Sequence, residues 1–175
     1  KTTLLKVMYS LLKPMSIEKR GATTKDIEEK QVVEKLQGVF RPDGMKVGRL
    51  VRRKQGSSRT EFAMVFDNKQ KISVGFGNRQ ENHVDIKSEQ MSPFEKFDAI
   101  YIPTKEMIST TEHFVSLYDE YHIDFEEMYY DLAKLLDRPL SKGPNTNEQN
   151  EILKSIEEIM KGQIIQRDKK FYLKI

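Results

Sequence analysis

The chain has 175 residues, which is enough for one domain with a hydrophobic core or for part of a larger domain. Apolar residues make up 37% and charged residues 33%, and no run approaches the ~18 consecutive apolar residues of a membrane span, so we expect no membrane partner. The absence of cysteine excludes disulfides and thiolate metal sites and agrees with a cytoplasmic location, while a net charge of +3 is too small to identify a partner.

The chain opens with Lys1-Thr2-Thr3, followed by apolar residues at helical spacing from Leu4 to Leu12. Lysine followed by a hydroxyl residue is the second half of the phosphate-binding P-loop, G-x-x-x-x-G-K-[ST]. In that motif the lysine reaches the β- and γ-phosphates and the hydroxyl group binds Mg²⁺. We therefore predict a P-loop helix over residues 1–14, ended by Pro14. An ordinary amphipathic helix is the alternative.

Residues 15–96 are predicted to form one helix and an antiparallel β subdomain. The helix begins at an N-cap, Thr23 or Thr24, and ends at Gly38. A turn over residues 41–44 precedes several short strands joined by tight turns, a pattern typical of an antiparallel meander. The predicted strands are residues 47–53, 60–66, 71–76 and 83–86.

Residues 97–175 are predicted to hold a buried strand, a helical insert and a terminal hairpin. The near-continuous apolar run of residues 97–102 is typical of a strand buried on both faces. Helical spacing follows over residues 107–118, 125–136 and 148–160, and residues 164–173 read as a hairpin. The predicted fold class is therefore α+β, without βαβ alternation.

Charge is distributed unevenly along the chain. Residues 41–71 are basic, and residues 106–137 are acidic. A basic β-ribbon can contact nucleic-acid phosphates, so a nucleic-acid- or protein-binding module without enzymatic activity is one hypothesis, and ordinary solvated surfaces are the other. The candidate phosphate contacts are Arg49, Arg52, Arg53, Lys54 and Arg59. His122, near Asp119, Glu120 and Asp124, suggests either a hard-cation site or an acidic helix junction.

Two segments carry a resemblance to a known family. The opening Lys1-Thr2-Thr3 and the later Ile100-Tyr101-Ile102-Pro103-Thr104-Lys105-Glu106-Met107-Ile108-Ser109, in this element order, resemble the N-terminal lobe of ABC-type ATPase heads of the OLD-like, RecF-like and SMC-like kinds. The chain departs from that pattern because it contains no glycine-rich half of the P-loop, no signature motif, no apolar run ending in Asp-Glu and no switch histidine.

The resemblance implies a function and a set of site residues. Lys1 would contact the β- and γ-phosphates of ATP, Thr2 would bind Mg²⁺, and Thr3 would approach the α-phosphate. Lys105 and Glu106 would lie in the segment that couples the γ-phosphate to the helical lobe, although a charge pair at a helix start explains them equally well. The complete protein would hydrolyse ATP as a homodimer of ATPase heads and act on DNA or drive a partner nuclease. We expect these 175 residues alone to be inactive.

Overall fold

The structure is a computed structural model that describes residues 2–16, 28–52, 55–89, 97–104, 113–121, 123–138, 143–167 and 170–175. The chain forms two compact units. Unit 1 comprises Lys1–Ile102 with Glu126–Met128, and unit 2 comprises Pro103–Phe125 with Tyr129–Ile175.

Within the described ranges, helices and antiparallel sheets are both present, which confirms the α+β class. Unit 1 begins with two helices, α1 (Thr2–Ser16) and α2 (Glu29–Phe40), and two 3₁₀ helices, Asp43–Met45 and Val47–Leu50. Its sheet contains β1 (Arg59–Val65), β2 (Lys71–Gly77) and β3 (Asp85–Glu89). The later elements are α3 (Phe114–Tyr121), α4 (Glu127–Leu136), α5 (Asn147–Met160), β4 (Gln163–Arg167) and β5 (Lys170–Lys174).

The core of unit 1 joins α1, α2 and one face of the three-stranded sheet. Leu11 of α1 and Leu36 of α2 are buried with the central strand β2, whose Ile72, Val74 and Phe76 alternate toward this core. The strand order is β1-β2-β3 and both pairings are antiparallel. The predicted meander is therefore confirmed, with three strands among the described residues.

The predicted strand over residues 47–53 is wrong, because Val47–Leu50 form a 3₁₀ helix that packs against a loop. The backbone N–H groups of Val47 and Gly48 donate to the carbonyl oxygens of Glu81 and Gln80, at 3.0 and 2.9 Å. Val47 and Gly48 are both buried although they are adjacent, which does not fit the alternating burial of a strand with one covered face. The apolar pattern indicated burial correctly but not its period.

The predicted buried strand over residues 97–102 is also wrong. These residues form no strand pairing with the described part of the chain, and only alternate positions are covered. Ala99 is buried and Tyr101 is half-buried, whereas Ile100 and Ile102 are exposed. The segment is therefore covered on one face only, although its apolar run is near-continuous.

Two helix ends differ from the predictions. Helix α1 continues past Pro14 to Ser16, because the φ angle of proline is helical and residues 14–16 are buried, which offsets the one missing hydrogen bond. Helix α2 contains Gly38 and ends two residues later, where Arg41 adopts a left-handed φ of 45° and its N–H donates to Gln37 O. The predicted N-cap residues Thr23 and Thr24 lie outside the described residues.

Unit 2 contains an aromatic cluster and a hairpin. The Phe114 and Phe125 rings meet edge to face at 5.4 Å, and the Tyr118 and Tyr130 rings stack at 4.6 Å. Strands β4 and β5 pair antiparallel from Gln163↔Lys174 to Arg167↔Lys170, which confirms the predicted terminal hairpin.

Candidate functional site

The first turn of α1 has the chemistry of an anion-binding helix start. In the first turn of a helix the backbone N–H groups have no partner within the helix, and they lie at the positive end of the helix dipole. Thr2 and Thr3 are exposed there, and the turn contains no acidic side chain that would repel an anion. Lys1, the predicted phosphate-contacting residue, lies outside the described residues.

The segment of residues 97–102 runs along α1 in the opposite direction. Lys13 Nζ donates to Ala99 O at 3.3 Å, and the Tyr9 and Tyr101 rings meet at 5.8 Å between centroids. Ala99 and Tyr101 are separated by two residues of extended chain, which span ~6.6 Å, and Lys13 and Tyr9 by four helical residues, which span ~6 Å. The two contacts are therefore equally far apart on both elements. The segment therefore advances toward the end of α1 that carries Thr2 and Thr3.

Both elements of this pair leave large apolar side chains uncovered. On α1, Leu4 and Leu5 are 64% and 54% exposed, and on the extended segment Ile102 is 82% exposed. Adjacent exposed apolar side chains of this size commonly mark a contact surface. The predicted coupling residues Lys105 and Glu106 follow this segment in sequence but lie outside the described residues.

A network of charged groups, not predicted from the sequence, connects the sheet to α2. Arg59 Nη2 lies 2.6 Å from Asp85 Oδ2, and His83 lies between two carboxylates, with Nδ1 2.5 Å from Glu29 Oε1 and Nε2 3.3 Å from Asp85 Oδ1. The hydrogen bond from Arg59 is the main cause that lowers the pKa of Asp85, opposed by desolvation and helped by the charge of Arg59 and by His83. Arg59 and Asp85 are 26 positions apart and Glu29 and His83 are 54 positions apart, so no short-range spacing rule in the sequence indicates the network.

The basic residues of the meander are largely paired with acids on the described surface. Arg59 binds Asp85, Arg49 lies 3.9 Å from Asp43, and the lysines at positions 46 and 71 pair with Glu81 and Glu89. Arg52 is exposed, while Arg53 and Lys54 lie outside the described residues. The pairing reduces the positive charge available to phosphates on this face, and nucleic-acid binding stays a prediction.

An open groove of about 710 Å³ lies along α2 in unit 1. It is lined by Glu28, Glu29, Lys30, Val33, Glu34, Gln37 and Asn82. The lining has three carboxylates and one lysine, and this net negative charge disfavours an anionic ligand such as a nucleoside triphosphate. The groove is therefore a poor candidate for the phosphate site, compared with the start of α1.

The described ranges lack a cluster of metal ligands and a helix that could span a membrane. No group of three or more His, Asp or Glu side chains there is arranged to hold a metal ion, and His122 of the proposed cation group lies outside those ranges. None of the described helices combines the length and the apolar character needed to cross a bilayer. Comparisons with protein-family models, with curated proteins and with solved structures found no match to this chain.

Proposed function

We propose that this chain is the ATP-binding portion of an ABC/OLD-like ATPase. The observation that carries the proposal is the antiparallel course of residues 97–102 along α1, held by the Lys13–Ala99 and Tyr9–Tyr101 contacts. In ABC-type heads the residues after such a segment couple the γ-phosphate to the helical lobe. Here the segment advances toward the exposed Thr2 and Thr3.

The residues that would hold the nucleotide are those at the start of α1. Lys1 would bind the β- and γ-phosphates, the Thr2 hydroxyl would bind Mg²⁺, and Thr3 would lie at the α-phosphate. Bound Mg²⁺ would neutralise the charge that develops on the transferred phosphoryl group. The exposed first turn without carboxylates fits this ligand, because a carboxylate there would repel the phosphates.

The uncovered apolar side chains also fit this proposal. A P-loop helix packs on a sheet that is buried on both faces, and a parallel sheet needs apolar cover from its helices. Leu4, Leu5 and Met8 of α1 and Ile100 of the extended segment are exposed and apolar. They suit contact with a neighbouring strand that the described residues do not supply.

Hydrolysis by such heads needs donors and a water-positioning acid from more than one lobe. We therefore propose that the complete protein is a cytoplasmic homodimer of heads that uses ATP to act on DNA or to drive a partner nuclease. The 175-residue chain alone should bind no catalytic water in the required position. It should show no ATP turnover above a buffer control.

The test is a Lys1→Ala substitution in the full-length protein, with binding of Mg²⁺–ATP measured by isothermal titration calorimetry. We expect the substitution to weaken binding at least about 10-fold, since a charge-assisted phosphate contact contributes about 1.5–3 kcal/mol. Lys30→Ala is the matched control, because Lys30 is an exposed lysine on α2. Equal affinities for the two variants, or a segment before Lys1 without glycines at the P-loop spacing, would overturn the proposal.

A further inference from the structure

Helix α5 presents an apolar stripe that nothing in the described structure covers. The structure describes all of residues 147–160, and none of them is buried. The stripe consists of Ile152, Leu153, Ile156, Ile159 and Met160, whose side chains are 38–82% exposed. A capping box in which Thr146 and Gln149 bond each other's backbone N–H groups defines the helix start, so the helix is well formed despite its exposure.

The stripe is symmetric about its centre. With 3.6 residues per turn, the four outer side chains lie within about 60° of Ile156, at equal distances before and after it along the helix. The charged residues Glu151, Lys154, Glu158 and Lys161 lie about 140–160° away, on the opposite face. An apolar face with this symmetry is self-complementary under a two-fold axis through Ile156.

In an antiparallel pair of α5 helices, every residue of the stripe faces another apolar residue of the stripe. Ile156 faces its own copy, Ile152 faces Met160 of a second copy, and Leu153 faces Ile159 of a second copy. Glu157 and Ser155, which flank the stripe, then face each other, so no two carboxylates are brought together. The antiparallel orientation aligns opposite helix dipoles and places the hairpins that follow Gly162 at opposite ends of the pair.

The area of the stripe suits a weak but specific dimer. A large apolar side chain carries about 150 Å² of surface, so the five half-exposed side chains offer on the order of 400 Å² per copy. Together with the flanking polar side chains, two copies would bury about 1,000–1,200 Å², at the lower limit for a specific interface. A dissociation constant in the micromolar range is expected for an interface of this size.

We propose that α5 forms an antiparallel homodimer interface with a second copy of this chain, centred on Ile156. The interface uses no nucleotide and no residue of the ATP site, so it is independent of the proposed ATPase function and of contacts between heads. A second copy is the partner because the apolar positions of the stripe and the polar residues beside it match their own copies under a two-fold axis.

The first experiment is sedimentation equilibrium of the chain without nucleotide, at about 1–300 µM, a range that brackets micromolar association. Ile156→Glu is expected to raise the dimer dissociation constant at least about 100-fold, because it places two carboxylates on the two-fold axis. Asn150→Glu adds the same charge to the polar face of α5 and should leave the dissociation constant unchanged. A monomeric parent chain, or a dimer that both variants retain, would overturn the proposal.

A second experiment tests the orientation, and the absence of cysteine from the chain makes it specific. Ile156→Cys should form a disulfide-linked dimer under mild oxidation, since disulfides need Cα atoms within about 7 Å. A mixture of Leu153→Cys and Ile159→Cys should give the mixed disulfide in preference to either homodimer. Preferential disulfide formation between two Leu153→Cys chains would show a parallel pair and refute the antiparallel interface.

Discussion

Gly38 lies inside α2, where replacing it with alanine would ordinarily stabilise the protein. Alanine is favoured over glycine in a helix interior by about 0.5–1 kcal/mol. In this structure, however, a Cβ atom at position 38 would lie 1.7 Å from Glu127 Oε2 and 2.9 Å from Glu127 Cβ. The carboxylate can rotate away, but the Cβ atom of Glu127 moves only with its backbone.

We therefore expect Gly38→Ala to destabilise the protein. Overpacking costs about 1–3 kcal/mol and the gain in helix propensity is about 0.5–1 kcal/mol, so the middle of the two ranges leaves a net loss of about 1 kcal/mol. Displacing Glu127 also weakens its contact with Lys35, whose Nζ lies 2.6 Å from Glu127 Oε1. For a chain of this size the loss corresponds to a fall in Tm of about 2–4 °C, measured by thermal unfolding followed by circular dichroism.

A double-mutant cycle with Glu127→Gly tests whether the clash with Glu127 causes the destabilisation. Removing the Cβ atom at position 127 removes the clash, so Gly38→Ala should then stabilise the protein by about 0.5–1 kcal/mol in that background. The effect of one substitution thus changes sign with the presence of the other. If Gly38→Ala has the same sign in both backgrounds, the close approach of Glu127 does not explain the glycine.

Three further outcomes follow from the structure. Leu36→Ala, in the core of unit 1, should lower the free energy of unfolding in urea by about 2–5 kcal/mol, whereas a loss below 1 kcal/mol would show that Leu36 is not in a packed core. Asp85→Asn should destabilise the protein at neutral pH; since the pKa of Asp85 is lowered in the folded state, the difference from the parent should shrink as the pH falls below 3.8, and a pH-independent difference would contradict this. Thr146→Ala should reduce helicity by circular dichroism and cost about 0.5–2 kcal/mol, while Thr146→Ser should retain the cap; equal losses for both would exclude capping as the cause.

The sheet and the terminal hairpin could be predicted because their information is local. In β1, Phe62 and Met64 alternate with exposed Ala63 and Val65, and this period of two is visible in the sequence. The apolar run of residues 97–102 carries no such alternation. Its burial on one face results from contacts with α1, which lies more than 80 residues earlier. Sequence pattern therefore indicated that the segment is extended but not what it packs against.

The sequence likewise indicated only part of the candidate site. Thr2 and Thr3 were predicted as site residues because the P-loop pattern is contiguous in sequence, and their role stays a prediction. The contacts of Tyr9 with Tyr101, of Arg59 with Asp85 and of His83 with Glu29 were not recognised, because they join residues that are distant in sequence. Composition also overstated the basic character of the meander, since the pairing of its basic residues with carboxylates is a property of the fold.

Glu126–Met128 belong to unit 1 although unit 2 residues precede them in the sequence, and this affects folding during translation. Lys6 binds Glu126 and Lys35 binds Glu127, across 120 and 92 residues, and Met128 is buried. At about 5–20 residues per second, the ribosome delivers these partners about 5–25 s after the lysines. Unit 1 therefore cannot reach its final charge pairing while its own first hundred residues emerge. Its maturation during translation has to wait for the beginning of α4.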